Sequence, residues 1–274
     1  MEQVFENSTY SAVDGRFEFG KNWTRFLSRI DGARVEAARA SITGKLRKVS
    51  LQGSTFIDVG CGSGLFSLAA RQLGAQVLSF DYDPKSVSCT QQLRRRFSPD
   101  DTAWSVNQGS VLDTEYLASL GQFDIVYSWG VLHHTGGMWD ALRNIATLVK
   151  PGGSLFVAIY NDAGESTRRW KVIKLLYNAS PLLRGPLLAM VAAYYLASRC
   201  AKYALHPALL LNRPKRERGM AMATDFVDWV GGYPFEFAAA EEIFEFYRQR
   251  GFTLSYLKTR RGNACNEFVF TRND

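Results

Sequence analysis

The residues of this chain that could do chemistry gather in four short stretches. The first is Asp58-Val59-Gly60-Cys61-Gly62-Ser63-Gly64, in which an apolar, strand-like run holding one acid opens into alternating glycines. Glycine lets the chain turn tightly and lets backbone amides approach a ligand without an obstructing Cβ. The spacing is GxGxG, not the GxGxxG of dinucleotide binders. Asp58 ahead of it would repel a pyrophosphate but suits a ligand with a cationic amine or sulfonium centre. No GxxxxGKS occurs, which counts against a nucleoside triphosphate. The second stretch ends at Asp81, 23 residues after Asp58, where a carboxylate can accept both hydroxyls of a ribose. Asp83-Pro84 just beyond reads as a helix N-cap and first helical residue. The third, Gly109-Ser110-Val111-Leu112-Asp113, would line an adenine. The fourth runs from Phe123 through Trp129 to His133-His134. An imidazole there could take a hydroxyl proton, since its pKa lies near neutral. The competing reading is that both histidines cap a short helix.

The elements that must position these stretches follow from the alternation of short β-rich and helical runs, the pattern of a parallel sheet wrapped by helices. Strands are expected over 56–59, 77–81, 103–108, 124–129 and 154–160, apolar on both faces as buried strands are. Helices are expected over 64–73, 84–97, 114–119 and 137–149. Lys150-Pro151-Gly152-Gly153 should stop the last of them and turn into the fifth strand. The end of the chain reads as a helix over 239–250 and an antiparallel hairpin of 252–259 and 267–272, turning at Arg261-Gly262-Asn263. Ahead of the sheet lie a helix near 31–48 and the aromatic stretch Phe17 to Trp23. About 75 residues separate the fifth strand from the last helix, far more than a crossover needs.

Composition narrows the class. With 274 residues, 46% hydrophobic and 22% charged, the chain can bury a sizeable core, which excludes global disorder. The four cysteines (Cys61, Cys89, Cys200, Cys265) form no CxxC pair, so neither a zinc site nor a disulfide framework is expected, and a reducing compartment fits. The start, MEQVFENSTY, has no basic head or apolar stretch of a secretory signal, and no apolar run reaches the roughly 18 residues of a membrane span. The expectation is a cytoplasmic protein. Its net charge of +7 sits in one segment: between Asn161 and Gly219, eleven lysines and arginines face three acids, a net +8, leaving the remainder at −1.

The four stretches, in this order, resemble the class I S-adenosylmethionine-dependent methyltransferases. DVGCGSG resembles their first motif, FDYDP their ribose-binding acid, FDIVYSWGVLHH their fourth-strand motif and LVKPGG the turn before their fifth strand. The resemblance covers 51–160 strongly, and the terminal helix and hairpin fit the topology. It implies a seven-stranded, mostly parallel, doubly wound sheet with an antiparallel C-terminal hairpin and a helical insertion after strand five. It implies S-adenosylmethionine as cofactor: Asp58, Gly60 and Gly62 along its methionine part, Asp81 on the ribose, Tyr82 over one adenine face. Ser110 and Val111 would meet the adenine edge, and the Trp129 backbone the cofactor amine. His133 or His134 would be the base, with no choice between them.

Missing motifs restrict the acceptor. Ser128-Trp129-Gly130-Val131 stands where amino-methylating enzymes carry Asn/Asp-Pro-Pro-aromatic, and no Pro-Cys pair supplies the nucleophile for pyrimidine carbon methylation. Trp129 also replaces the first carboxylate of a catechol-type magnesium site, so no metal is expected. Transfer to a hydroxyl of a small amphipathic or anionic molecule fits best, with an activated carbon second. Three units are expected: an N-terminal helical cap (1–50), the methyltransferase core (51–160 with 234–274) and a basic, apolar insertion (161–233) acting as substrate lid. The 11-residue block Leu187 to Ala197, flanked by Arg184 and Arg199, could instead tuck against the main domain with the cations as its solvated rim, or lie on a membrane. Arg213-Pro214-Lys215-Arg216-Glu217-Arg218 keeps RNA as a rival acceptor. A silent cofactor-binding or assembly protein is the third reading.

Overall fold

The computed structural model describes Trp23, Leu27, residues 30–205 and residues 229–274. Strands β1 (Thr55–Val59), β2 (Gln76–Asp81), β3 (Trp104–Gln108), β4 (Phe123–Trp129), β5 (Val149–Tyr160), β6 (Phe252–Lys258) and β7 (Cys265–Arg272) form one sheet in the order β3-β2-β1-β4-β5-β7-β6. The first five run parallel, while β7 lies antiparallel between β5 and β6. Side chains alternate across the pleat, so each strand feeds two cores. Ile57, Val126, Val157 and Phe268 point to one face, where α4 (Thr114–Leu120), α5 (Met138–Thr147) and α8 (Ala240–Arg248) cover them. Phe56, Ile125, Phe156 and Val269 point to the other, under α1 (Gly32–Leu46), α2 (Leu65–Gln72) and α3 (Pro84–Phe97).

Local chemistry sets the helix starts. Asp31, Asp83 and Asp113 accept the amides of Arg34, Lys85 and Tyr116 as N-caps, with Pro84 at the first position of α3. One boundary differs from expectation. Lys150 to Gly153 do not precede the fifth strand but lie within it, because Val149 already pairs with Phe123 before the register resumes at Ile125 and Ser154. The Pro-Gly-Gly stretch is a bulge between two paired regions, with Gly152 at φ +69°.

The insertion after β5 is a helical hairpin, α6 (Glu165–Ala179) and α7 (Pro181–Leu205). It carries a small apolar cluster of its own, with Tyr177, Val191 and Val230 buried against Trp170, Ile173, Leu187, Leu188 and Trp229. The Trp170 and Trp229 rings lie 4.0 Å apart. The basic cluster 213–218, His206 and the aromatic residues 17–22 fall outside the described residues.

Candidate functional site

The carboxyl ends of β1 to β4 converge where the strand order reverses between β1 and β4, the place parallel sheets offer a ligand. There the loop from β1 to α2 takes Gly60, Gly62 and Gly64 to φ values of +76°, +55° and +77°. A Cβ at Gly60 would also stand 2.4 Å from the Val131 side chain, and one at Gly62 2.9 Å from the Trp23 indole. Trp23 is therefore packed directly onto the glycine loop. Gly109 has a similar reason: its Cβ would fall 2.1 Å from the Tyr116 ring.

The two acids of the site differ. Asp81 ends β2 half-buried, its Oδ2 accepting the Gly62 amide at 3.0 Å and its Oδ1 the Asp83 amide at 2.9 Å. Lone pairs that the backbone amides leave over can accept a ligand hydroxyl. Burial pushes its pKa up to about 6, against the lowering pull of those amides. Asp58 lies deeper. Its Oδ2 accepts the Ser67 hydroxyl, Ser67 accepts from Ser79 at 2.8 Å, and Ser79 accepts the Trp104 indole N–H at 2.9 Å. Burial raises Asp58 to about 7, offset in part by Ser67 and reinforced by the charge of Asp81. The chain of hydroxyls ties β1, α2, β2 and β3 beneath the glycine loop.

The remaining cofactor-side residues are arranged as follows. Tyr82 is exposed beside Asp81, and its carbonyl accepts from Gln108 at 3.3 Å. Ser110 Oγ accepts the Leu112 amide. The Val111 side chain is packed in the core and its carbonyl accepts Asn144 Nδ2 at 3.0 Å, which leaves its amide as the group able to face a ligand. The Trp129 indole turns away toward β7 and donates to Glu267 at 3.2 Å, while Lys45 pairs with the other Glu267 oxygen at 3.0 Å. Its backbone stays at the end of β4.

The structure separates the two histidines. His133 is wholly buried, its ring 4.0 Å from that of Tyr160, and Nδ1 accepts the Tyr160 amide at 3.3 Å. Burial, then the neighbouring His134 and Lys174, holds its pKa well below the usual value. His134 is half-buried, and its Nδ1–H donates to the Pro234 carbonyl at 2.6 Å. That bond puts the lone pair of the neutral ring on Nε2. Burial and the Lys174 charge lower its pKa to about 3. Both rings are thus neutral at physiological pH.

Lys174, one of the eleven cations that the sequence gives the insertion, is 1% exposed. Its ammonium donates to the Trp229 carbonyl and lies 4.8 Å from the Phe235 ring centroid and 5.7 Å from that of Tyr160. Aromatic faces and a carbonyl replace part of its hydration. Sequence reasoning missed Glu236. Its carboxylate accepts the amides of Gly136 and Met138 at the start of α5, so residues 234–236 are held against the histidine turn. Among the described residues, no three His, Cys, Asp or Glu side chains group as metal ligands do.

A doubly wound sheet of this order, with a glycine loop after β1 and an acid ending β2, is the architecture of the class I methyltransferases. The chain belongs to that S-adenosylmethionine-dependent family: the methyltransferase domain family matches residues 33–200, more than half of its length. A ubiquinone biosynthesis O-methyltransferase of Xanthomonas campestris pv. campestris (strain B100) is 36% identical over 114 residues, covering 42% of this chain and 46% of that protein. A tRNA U34 carboxymethyltransferase of Pseudoalteromonas translucida (strain TAC 125) is 36% identical over 106 residues, covering 38% and 31%. The matches thus span less than half the length of these curated relatives. Among solved structures, the magnesium protoporphyrin IX methyltransferase of Synechocystis PCC 6803 superposes with a TM-score of 0.53 at 15% identity, covering 98% of this chain and 91% of that one. The N-methyltransferase NodS of Bradyrhizobium japonicum WM9 gives 0.51 at 14% identity, covering 94% and 100%. These similarities support the fold.

Proposed function

We propose that this chain transfers a methyl group from S-adenosylmethionine to a hydroxyl of a small amphipathic or anionic molecule. The cofactor, when bound, supplies an electrophilic methyl on a sulfonium. One observation carries the reading: Asp81 clamps the Gly62 amide while keeping acceptor capacity for a ribose, within electrostatic reach of the buried Asp58. A glycine loop at positive φ backed by two acids suits an adenosine with a cationic side arm better than a pyrophosphate. Tyr82 would cover the adenine, the Ser110–Val111 backbone would meet its edge, and the Trp129 backbone would face the cofactor amine.

For the acceptor, His134 is the assigned proton acceptor. Its Nε2 lone pair is fixed by the Pro234 carbonyl behind it, whereas His133 is committed to the Tyr160 backbone. The insertion, reaching the histidine neighbourhood through Lys174, Phe235 and Tyr160, would act as the lid, with residues 1–50 as a cap anchored at Trp23. The relative named as a ubiquinone biosynthesis O-methyltransferase agrees with a hydroxyl acceptor. A cytoplasmic setting fits the four free cysteines.

RNA is the second reading, favoured by the +8 of the insertion and by the relative named as a tRNA carboxymethyltransferase. Incubating the protein with methyl-labelled cofactor and fractionated lysate decides between them. Label entering lipid or small polar molecules supports the first reading, and label entering RNA the second. No incorporation into any fraction by a protein that binds the cofactor would overturn both and favour a silent binding or assembly protein.

A further inference from the structure

Among the described residues, the outward side of α7 carries no charge. Leu187, Leu188 and Val191 pack inward on α6 and Trp229. At 3.6 residues per turn the opposite side carries Leu182, Ala189, Ala193, Leu196, Ala197 and Cys200, all exposed. Leu182 is 86% exposed and Leu196 67%, while Met190 and Tyr194 on the flank are 51% and 68%. A solvated helix ordinarily turns charge outward, and an apolar surface of this extent marks a contact site. The charges that accompany it are of one sign. Over residues 165–205 seven lysines and arginines, of which Lys174 is buried, stand against a single acid, Glu165. Arg168, Arg169 and Lys171 lie exposed on α6, which also shows Val172, Leu175 and Leu176 to solvent.

We propose that the outward face of α7, together with the cationic start of α6, docks on a bilayer surface that carries anionic headgroups. The proposal stands apart from the methyl-transfer reading and does not rest on it. Charge complementarity selects this occupant. A helix lying in the interface buries an apolar face to a shallow depth, while nearby cations meet the negative headgroups. A second copy of the same face would instead bring like charges together. Among the described residues no helix is long and apolar enough to cross a membrane, so the contact is in-plane.

The test uses the full chain with vesicles of phosphatidylcholine, with and without phosphatidylglycerol. The wild-type protein should float with the mixed vesicles and not with phosphatidylcholine alone, and high salt should release it. The variant Leu182→Glu/Met190→Glu/Leu196→Glu should lose partitioning. The variant Arg168→Gln/Arg169→Gln/Lys171→Gln should weaken it more than about tenfold at low salt. Cys200 gives a readout that needs no substitution on the face, because the other three cysteines are buried. An environment-sensitive dye on Cys200 should shift to the blue with mixed vesicles. Wild-type protein that ignores these vesicles would overturn the proposal, as would flotation that survives the triple Glu substitution. Flotation without a dye shift would place the contact elsewhere. A vesicle-free oligomer in light scattering that the Glu variant dissolves would assign the face to a second copy. Calorimetry with S-adenosylmethionine on the same samples reports folding and cofactor binding separately, so a failure here leaves the methyltransferase reading to its own test.

Discussion

The Asp81 carboxylate at the end of β2 accepts the Gly62 amide, at 3.0 Å, from the loop that follows β1. One acid therefore shapes the glycine loop and also presents the free lone pairs on which a ribose can sit. Asp81→Asn removes the charge and turns one of the two amide-accepting oxygens into a donor, so cofactor affinity should fall by at least the roughly 1.5–3 kcal/mol of a hydrogen bond to a charged group. Because burial lifts Asp81 to about 6, the wild-type carboxylate is ionised above that pH and protonated below it. Cofactor affinity should thus weaken as pH falls through 6, and the limb should vanish in the Asn variant. Calorimetry across that range checks both, and a pH-independent wild type would remove Asp81 from the site.

Asp58 makes a prediction about stability. Its folded pKa, about 7, lies above the model-peptide value of 3.8, so folding favours the protonated form. That contribution is complete below about 4 and is lost as pH rises to 7, where a buried charge must be carried. Asp58→Asn should therefore melt above wild type at pH 8, by at least about 2 °C for about 1 kcal/mol in a chain of this size. The gap should narrow toward pH 5. A gap that widens on acidification would mean that the carboxylate is stabilised as an anion.

Gly60 tests the loop itself. With φ at +76° and a Cβ position 2.4 Å from Val131, Gly60→Ala meets both backbone strain and a steric clash. The expected cost is about 1–3 kcal/mol of stability together with weaker cofactor binding. Adding Val131→Ala should recover part of the stability, since it removes the two closest contacts, Cγ1 and Cγ2, but leaves the Cβ contact at 2.9 Å and the backbone strain. Denaturant melts of the two variants measure this, and no recovery would locate the cost wholly in the backbone.

How much of this was legible in the sequence depends on the range of the interaction. The cap at Asp83 and the glycine turn are decided by near neighbours, and these were read correctly, whereas Asp113, assigned to the adenine stretch, caps the helix that follows it. The strands and the terminal hairpin are legible in the alternating apolar runs for the same reason, while the seven-stranded doubly wound sheet was what the resemblance implied. The bulge at Lys150–Gly153 was read as a stop because Pro-Gly-Gly breaks any local pattern, while the pairing of Val149 with Phe123 is a cross-strand fact. Lys174 could not be told from the other cations of the insertion because its aromatic neighbour Phe235 and its carbonyl partner Trp229 lie more than 50 residues away. The same distance hid the difference between the histidines, since Pro234 is 100 residues beyond His134.

That difference gives the last prediction. His134 donates through Nδ1 and keeps a lone pair on Nε2, while His133 spends Nδ1 on the Tyr160 amide inside the core. His134→Ala should lower kcat with cofactor affinity unchanged, and because a base held near 3 is weaker than one matched to neutral pH the loss should lie near the low end of the roughly 10²- to 10⁴-fold range of a positioned base. His133→Ala should act first on stability, because it empties a buried site and leaves the Tyr160 amide without its acceptor. The pH profile adds a signature. Burial brings His134 to about 3, so the wild-type kcat should show no imidazole limb between pH 5 and 7. Burial lowers the pKa of both rings most and Lys174 adds to it, so Lys174→Met should shift their NMR titrations upward while leaving both below the ordinary imidazole value. Should His133→Ala abolish turnover in a protein that melts and binds cofactor as wild type does, the two roles would be exchanged.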